Sequence, residues 1–400
     1  MSNPTAPPHA GQATARTERL PMAALLVMAL MGFLLIATET MPAGLLPQIS
    51  AGLATSEGTA GQLVSAYALG TILATIPLVA ATRGLRRKPV LLVGILGFLV
   101  VNTVTALSPD IVLSLVMRVL AGAFSGLLWG MLAGYARRIT MPALAGRALA
   151  IASLGTPVGL AVGTPFGSWL GSTFDWRWSF GALSVLVAVT LVLAVLLVPD
   201  APGQRAESHL PVGRVLRIPG VALILAVILA WMVAHNTVYT YISSYLRSAE
   251  VSLSVDLALV TFGVAALGGI AITAARVDHS LRRLLLGSIG LFTAAGIVLL
   301  VGQQSVAAIV IALVCWGIGY GGAATQLQTA ISEASGENAD VANSMLGVAF
   351  NLAIFGGGVL GAPLSSQHAS VTLPVVMIVL PLVALAIAVA ARRTAFPVGR

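Results

Sequence analysis

The stretches "GLAVGTPFG" (residues 159–167) and "GGVLGAPLS" (residues 357–365) decide how this chain is built. Each lies in apolar surroundings and places two glycines four apart with a proline two positions on: Gly159, Gly163 and Pro165, then Gly357, Gly361 and Pro363. Small residues at a spacing of four let helices approach closely, and proline removes a backbone hydrogen bond and bends its helix. The recurrence of this device at an offset of about 195 to 198 residues, near half the chain, marks an internal repeat.

Other segments fall at a similar offset. "TRGLRRK" (82–88) returns loosely as "ARVDHSLRR" (275–283), and "ATETMP" (37–42) faces "AHNTVY" (234–239), with Thr40 opposite Thr237. Between the halves lies "PDAPGQRAESHLPVGRVLRIPG" (199–220), polar, basic and proline-containing, as a connection between two units should be.

The chain is 58% hydrophobic and 8% charged, with a mean hydropathy of +0.98; soluble domains carry about 25% charged residues. It reads as an integral membrane protein. A helix needs about 20 apolar residues to cross the hydrocarbon core, and twelve segments qualify: 21–47, 59–80, 89–107, 111–136, 147–170, 179–198, 219–245, 255–275, 282–302, 305–330, 342–364 and 371–391. The fold class expected is all-α, twelve transmembrane helices in two six-helix halves.

Charge sets the direction. With the N-terminus inside, 18 of the 21 Lys and Arg fall in inner segments, Arg177 and Arg247 lie outside, and Arg118 lies within a span. The positive-inside rule therefore selects both termini in the cytoplasm, against which the acidic inner loop "ISEASGENADVANS" (331–344) weighs little. The expected division is a disordered tail (1–20), an N-terminal half (21–198), a cytoplasmic linker (199–218), a C-terminal half (219–391) and a short tail (392–400). The formal charge of +8 comes in clusters between apolar runs and not along a soluble face, so it does not point to nucleic acid. One cysteine, Cys315, excludes a disulfide framework and a Cys-rich metal site.

Of 13 acidic residues only Glu39 falls well inside a span. An ionised group there is costly unless paired, hydrated or protonated, so it is a functional residue by default. Arg118, in "LSLVMRVLAGAFSG", lies at comparable depth in the fourth span and can face the same cavity. Two readings follow: Glu39 as proton carrier and substrate-competitive site tuned by Arg118, or a static Glu39–Arg118 pair locking two helices. His235, in mid-span, is either a proton relay or a neutral imidazole bonded to a neighbouring helix. Asn236, Thr237, Tyr239 and Tyr241 follow it, and Gln62, Tyr67, Trp129, Tyr320, Gln326 and Asn351 are further polar or aromatic candidates for a substrate site or for packing. Arg83, Arg86 and Arg87 with Lys88 form a basic loop that serves as topology anchor or cytoplasmic gate.

These features resemble the major facilitator drug:proton antiporters of the twelve-helix type: the span-four "RVLAG", the inner basic loop and the Gly/Pro run of span five. "ATETMPAGLLPQI" (37–49) and "AHNTVYTYISSYL" (234–246) look like the bacterial arabinose and sugar efflux branch, which also holds chloramphenicol-resistance and nucleoside efflux proteins. The resemblance covers about residues 20 to 395. It implies export of a small molecule against protons across the bacterial cytoplasmic membrane, with no bound cofactor; a monomer in contact with lipid is expected because two halves already enclose one path. It places Arg118 and Gly122 in the span-four coupling motif and Gly159, Gly163, Pro165 and Gly167 in the antiporter motif. Two departures stand out. Leu78, Thr82 and Leu85 replace the Gly, Asp and Gly of the usual inner loop, and Thr164 separates Gly163 from Pro165.

Residues alone leave export and proton-coupled import of a sugar or metabolite both open. They disfavour an enzyme, because His235 stands alone and no paired intramembrane carboxylates exist. They exclude an ATP-driven pump with a phosphate loop, because the only lysine, Lys88, is followed by Pro89.

Overall fold

The computed structural model describes residues 20–82, 84–203, 212–365 and 368–396. Among them are eleven helices long and apolar enough to cross a membrane. One of these, Val255–Val301, has 47 residues and would measure about 70 Å if straight, more than twice the hydrocarbon thickness. It leaves helical geometry at Ser280 (φ −151°, ψ 36°). The amide of Gln326 then donates to Thr273 on one leg and Ser288 on the other, at 2.9 and 3.0 Å, so the chain doubles back. The eleven helices thus make twelve crossings, and the twelve spans read from sequence stand. Span ten runs on to Ser335, interrupted at Gly322.

The repeat is visible in local structure. Ser56 caps the second span by accepting from the Thr59 amide, and Ser254 caps the eighth by accepting from Leu257. Asp110 and Ser305 do the same for the fourth and tenth. Left-handed non-glycine residues occur at Ala54 and Glu250, in the turns after spans one and seven. Each of these pairs lies at the offset of the sequence repeat, so the halves share backbone detail as well as helix count.

Spans one and seven both break partway. The first is helical over Met22–Thr40, tightens to a 3₁₀ turn over Met41–Leu45, and resumes over Leu46–Gly52. Pro42 and Pro47 account for this, since neither supplies a backbone N–H. The seventh runs Val221–Thr240, breaks at Tyr241, and resumes over Ile242–Ser248.

Span five lies along span one in matched steps of four. A Cβ on Gly155, Gly159, Gly163, Gly167 or Gly171 would meet, in turn, the Ala29 carbonyl at 1.7 Å, the Phe33 carbonyl at 2.9 Å, Ala37 at 2.9 Å, Met41 at 2.7 Å and Leu45 at 2.6 Å. The antiporter-motif glycines are therefore a seam within one half. Contact with the other half falls to neighbouring faces of span five, where Ala161 backs onto Gly263. Residues Gly159–Gly163 form a π-helical turn immediately before Pro165, a common adjustment where proline denies the i−4 carbonyl its partner.

The halves are joined at the end of the bundle that carries Glu57. Glu57 accepts from Ser244 (2.7 Å) and pairs with Arg247. Asp256 accepts from Ser168 and from Ser172 (3.2 Å). Gln62 donates across to the Gly358 carbonyl at 3.0 Å, and Tyr241, which donates to that carbonyl within its own half at 2.8 Å, reaches the Gly58 carbonyl of the other half at 3.3 Å. Gln62 and Tyr241 thus take part in the contact between halves, while Gln326 bridges spans eight and nine.

Candidate transport site

Glu39 ends the regular part of span one, and the break beyond it decides its surroundings. Pro42 cannot donate to the Thr38 carbonyl as an α-helix requires. That carbonyl accepts from the Arg118 guanidinium instead, at 2.8 Å; the same group donates to the Leu63 carbonyl at 3.0 Å and the Glu39 carbonyl at 3.3 Å. Arg118 is fully buried and lies over the Tyr67 ring, 4.5 Å from its centroid, and the Tyr67 hydroxyl donates to the Leu35 carbonyl at 3.2 Å. Gly70 and Gly122 make this possible: a Cβ on either would stand 1.9 Å from a carbonyl oxygen, of Val119 or Tyr67. Spans two and four therefore meet backbone to backbone beside the arginine.

The side-chain ion pair expected between Glu39 and Arg118 is not formed. The guanidinium is spent on main-chain carbonyls, and the Glu39 carboxylate has no hydrogen bond or ion pair among the described residues, although it is only 8% exposed. It remains within electrostatic range of Arg118, Tyr67 and, from the other half, Tyr320.

His235 forms the second cluster. Its ring stacks on Tyr320 with centroids 3.6 Å apart and planes at 10°, and against Tyr239 at 5.4 Å. Phe262, Phe292 and Trp316 complete the surround. The Trp316 indole N–H donates to His235 Nδ1 at 3.0 Å. Indole is a donor only, so Nδ1 is the unprotonated nitrogen and any proton on the neutral ring sits on Nε2. Trp316, Phe262 and Phe292 escaped the sequence reading because an aromatic in an apolar span looks the same whether it packs or lines a site.

The remaining candidates separate. Tyr67, Tyr239 and Tyr320 join the two clusters. Trp129 packs beside Gly32, two helical turns from Glu39. Asn236 and Asn351 donate back to their own helices, at Met232 (2.8 Å) and Gly347 (3.0 Å), and Asn236 lies against Gly357. In the basic loop Arg83 lies outside the described residues. Arg86 pairs with Asp200 at 2.5 Å, Arg87 is buried with its amide bonded to the Ala201 carbonyl, and the Lys88 amide donates to Asp200 at 3.0 Å. The acid missing at Thr82 is thus replaced by one from the end of span six.

Twelve crossings in two matching halves, with the one acid buried among the described residues and the histidine near the breaks of corresponding helices, define a membrane transporter. The family model of the Major Facilitator Superfamily matches residues 28–362, and the chain belongs to that superfamily. A chloramphenicol efflux pump of Mycobacterium tuberculosis (strain CDC 1551 / Oshkosh) is 30% identical over 359 residues, covering 87% of each chain. A probable sugar efflux transporter of Mannheimia succiniciproducens is 25% identical over 339 residues, covering 84% of this chain and 85% of that one. The crystal structure of a bacterial homologue of the human lysosomal transporter Spinster, inward-facing and unoccupied, shares the fold: its TM-score is 0.68 at 16% identity, covering 95% of this chain and 98% of that one.

Proposed function

We propose that this protein exports a small organic molecule, of the phenicol, sugar or nucleoside kind, in exchange for protons by alternating access between its halves. The observation that carries the reading is the Glu39 carboxylate, buried and unpaired among the described residues, within electrostatic range of Arg118 and Tyr67 of its own half and Tyr320 of the other. Glu39 is the proton carrier and the point where proton and substrate compete. Arg118 holds the broken backbone beside it and supplies a fixed positive field. The stacked Tyr239, His235 and Tyr320 offer aromatic faces and hydroxyls to the substrate, with His235 as a secondary proton site. Residues 21–198 and 219–391 move as the two halves, in the bacterial cytoplasmic membrane with both termini inside. The Glu57 end is then external, and its inter-half bonds hold the outer gate shut. The efflux names of the relatives support the direction.

The test is proton flux in vesicles that carry an interior pH dye, for the wild type and Glu39→Gln, with chloramphenicol, arabinose and a nucleoside added in turn on each side. Substrate-dependent proton movement that the variant loses supports the antiporter, and the side of addition that drives it fixes the direction. Unaltered coupling in a folded variant would remove Glu39 from the mechanism and leave His235 as the proton site.

A further inference from the structure

The doubled-back helix holds a second cleft, remote from Glu39. It has a volume of about 460 Å³ and lies between the legs of Val255–Val301, floored by span ten at Ile318 and Gly319. Its mouth, next to the break at Ser280, carries Arg276 and Arg283. Both are exposed, and neither side chain makes a hydrogen bond or ion pair among the described residues.

The corresponding turn of the first half behaves differently. There Arg86 and the Lys88 amide are satisfied by Asp200 at the end of span six. In the second half Arg282 is occupied by the Ala388 and Phe396 carbonyls. The chain after span twelve offers Arg392 and Arg393 where the first half offers an acid. Arg276 and Arg283 are left over a cleft without an ion pair among the described residues, two cations to the one acid, Asp278, in the turn between them.

The lining changes character with depth. Below the arginines come Thr273 and Ser288, whose hydroxyls accept from Gln326 and each keep a proton to donate. Deeper lie Ile272, Leu291 and Ile318. Gly287 keeps the space open, since a Cβ there would meet nothing within 4 Å. Cationic mouth, hydroxyl middle and apolar depth match a phosphate, a glycerol ester and an acyl chain. Basic pockets between membrane helices on the positively charged side hold such headgroups.

We propose that this cleft binds an anionic membrane phospholipid, its phosphate between Arg276 and Arg283 and one acyl chain along Ile272 and Leu291. The lipid would brace the legs of spans eight and nine against span ten.

Native mass spectrometry of the full chain released from micelles doped with phosphatidylglycerol or phosphatidylcholine tests this, with glycerol 3-phosphate as a soluble headgroup. The wild type is expected to retain phosphatidylglycerol selectively. R276Q/R283Q should lose affinity by about fivefold or more per arginine, and G287L, which keeps both charges and fills the cleft, should lose it as well. R392Q/R393Q, basic at the same end without a cleft, should match the wild type. Size-exclusion profiles confirm that each variant is folded. Equal loss in the control pair, retention of phosphatidylcholine as well as phosphatidylglycerol, or full retention by R276Q/R283Q or by G287L would overturn the proposal. Glycerol 3-phosphate held as tightly as the lipid would assign the arginines to a soluble anion and overturn it too.

Discussion

Arg118 donates to the main-chain carbonyl of Glu39 at 3.3 Å while the carboxylate of that residue stays unpaired among the described residues. Adjacent opposite charges thus have separate work. One organises backbone that proline has disrupted, and the other is the proton carrier of the proposed mechanism. Stability should separate them. Arg118→Ala leaves the Thr38 carbonyl buried without a donor and empties a buried site over Tyr67, and should cost about 3 kcal/mol or more. Glu39→Gln breaks no hydrogen bond and should stay within about 1 kcal/mol of wild type. Thermal unfolding followed by tryptophan fluorescence reads both; equal destabilisation would mean that the carboxylate is structural.

Gly122 faces the Tyr67 carbonyl so closely that a methyl group does not fit. Gly122→Ala should part spans two and four, displace Tyr67 from Arg118, and destabilise by about 1 to 3 kcal/mol. Gly134, whose Cβ would meet nothing within 4 Å in the same span, is the control, and Gly134→Ala should be neutral or slightly stabilising.

Asp200, outside the spans, gives a pH signature. Burial alone would raise its pKa, but the Lys88 amide, the Arg86 guanidinium and the Ala201 amide outweigh that and hold it below the ordinary aspartate range. A carboxyl with a lower pKa folded than unfolded stabilises fully above the unfolded value and loses the contribution as pH falls through the folded one. Asp200→Asn should therefore cost roughly 1 kcal/mol near neutrality, mostly hydrogen bonding, because the exposed Arg86 adds little. The gap to wild type should close as pH drops below about 4. A gap that persists in acid would show that the amides alone matter.

At the Glu57 end two carboxylates cross the half interface, Glu57 to Ser244 and Arg247, Asp256 to Ser168 and Ser172. If they hold this end shut, Glu57→Gln with Asp256→Asn should populate longer distances between spin labels placed at Ser56 and Glu250. The closed distance should persist in the parent. An unchanged distribution would assign closure to the bonds from Gln62 to Gly358 and from Tyr241 to Gly58 instead.

Much of this architecture is legible in the residues. Hydrocarbon imposes one length and near-total exclusion of charge, so twelve spans, one intramembrane acid and a halfway repeat can be counted. Periodicity of four in the span-five glycines announces close packing because any larger side chain would keep two backbones apart. The partner of that seam was not legible: spacing says that a helix comes near, and only the fold says that it is span one from Ala29 to Leu45.

The sequence by itself determined the class of protein, the number of crossings, the two-fold repeat and the residues that are expensive to bury. Only the tertiary structure decided that Arg118 serves the carbonyl freed by Pro42 and not the Glu39 carboxylate, that Trp316 fixes the unprotonated nitrogen of His235, and that Asp200 supplies an acid to the basic loop that lacks one at Thr82. The physical reason is common to all three. Desolvation cost belongs to a residue and its span and can be read along the chain, whereas a hydrogen bond belongs to a pair of atoms that folding brings from distant positions to within about 3 Å.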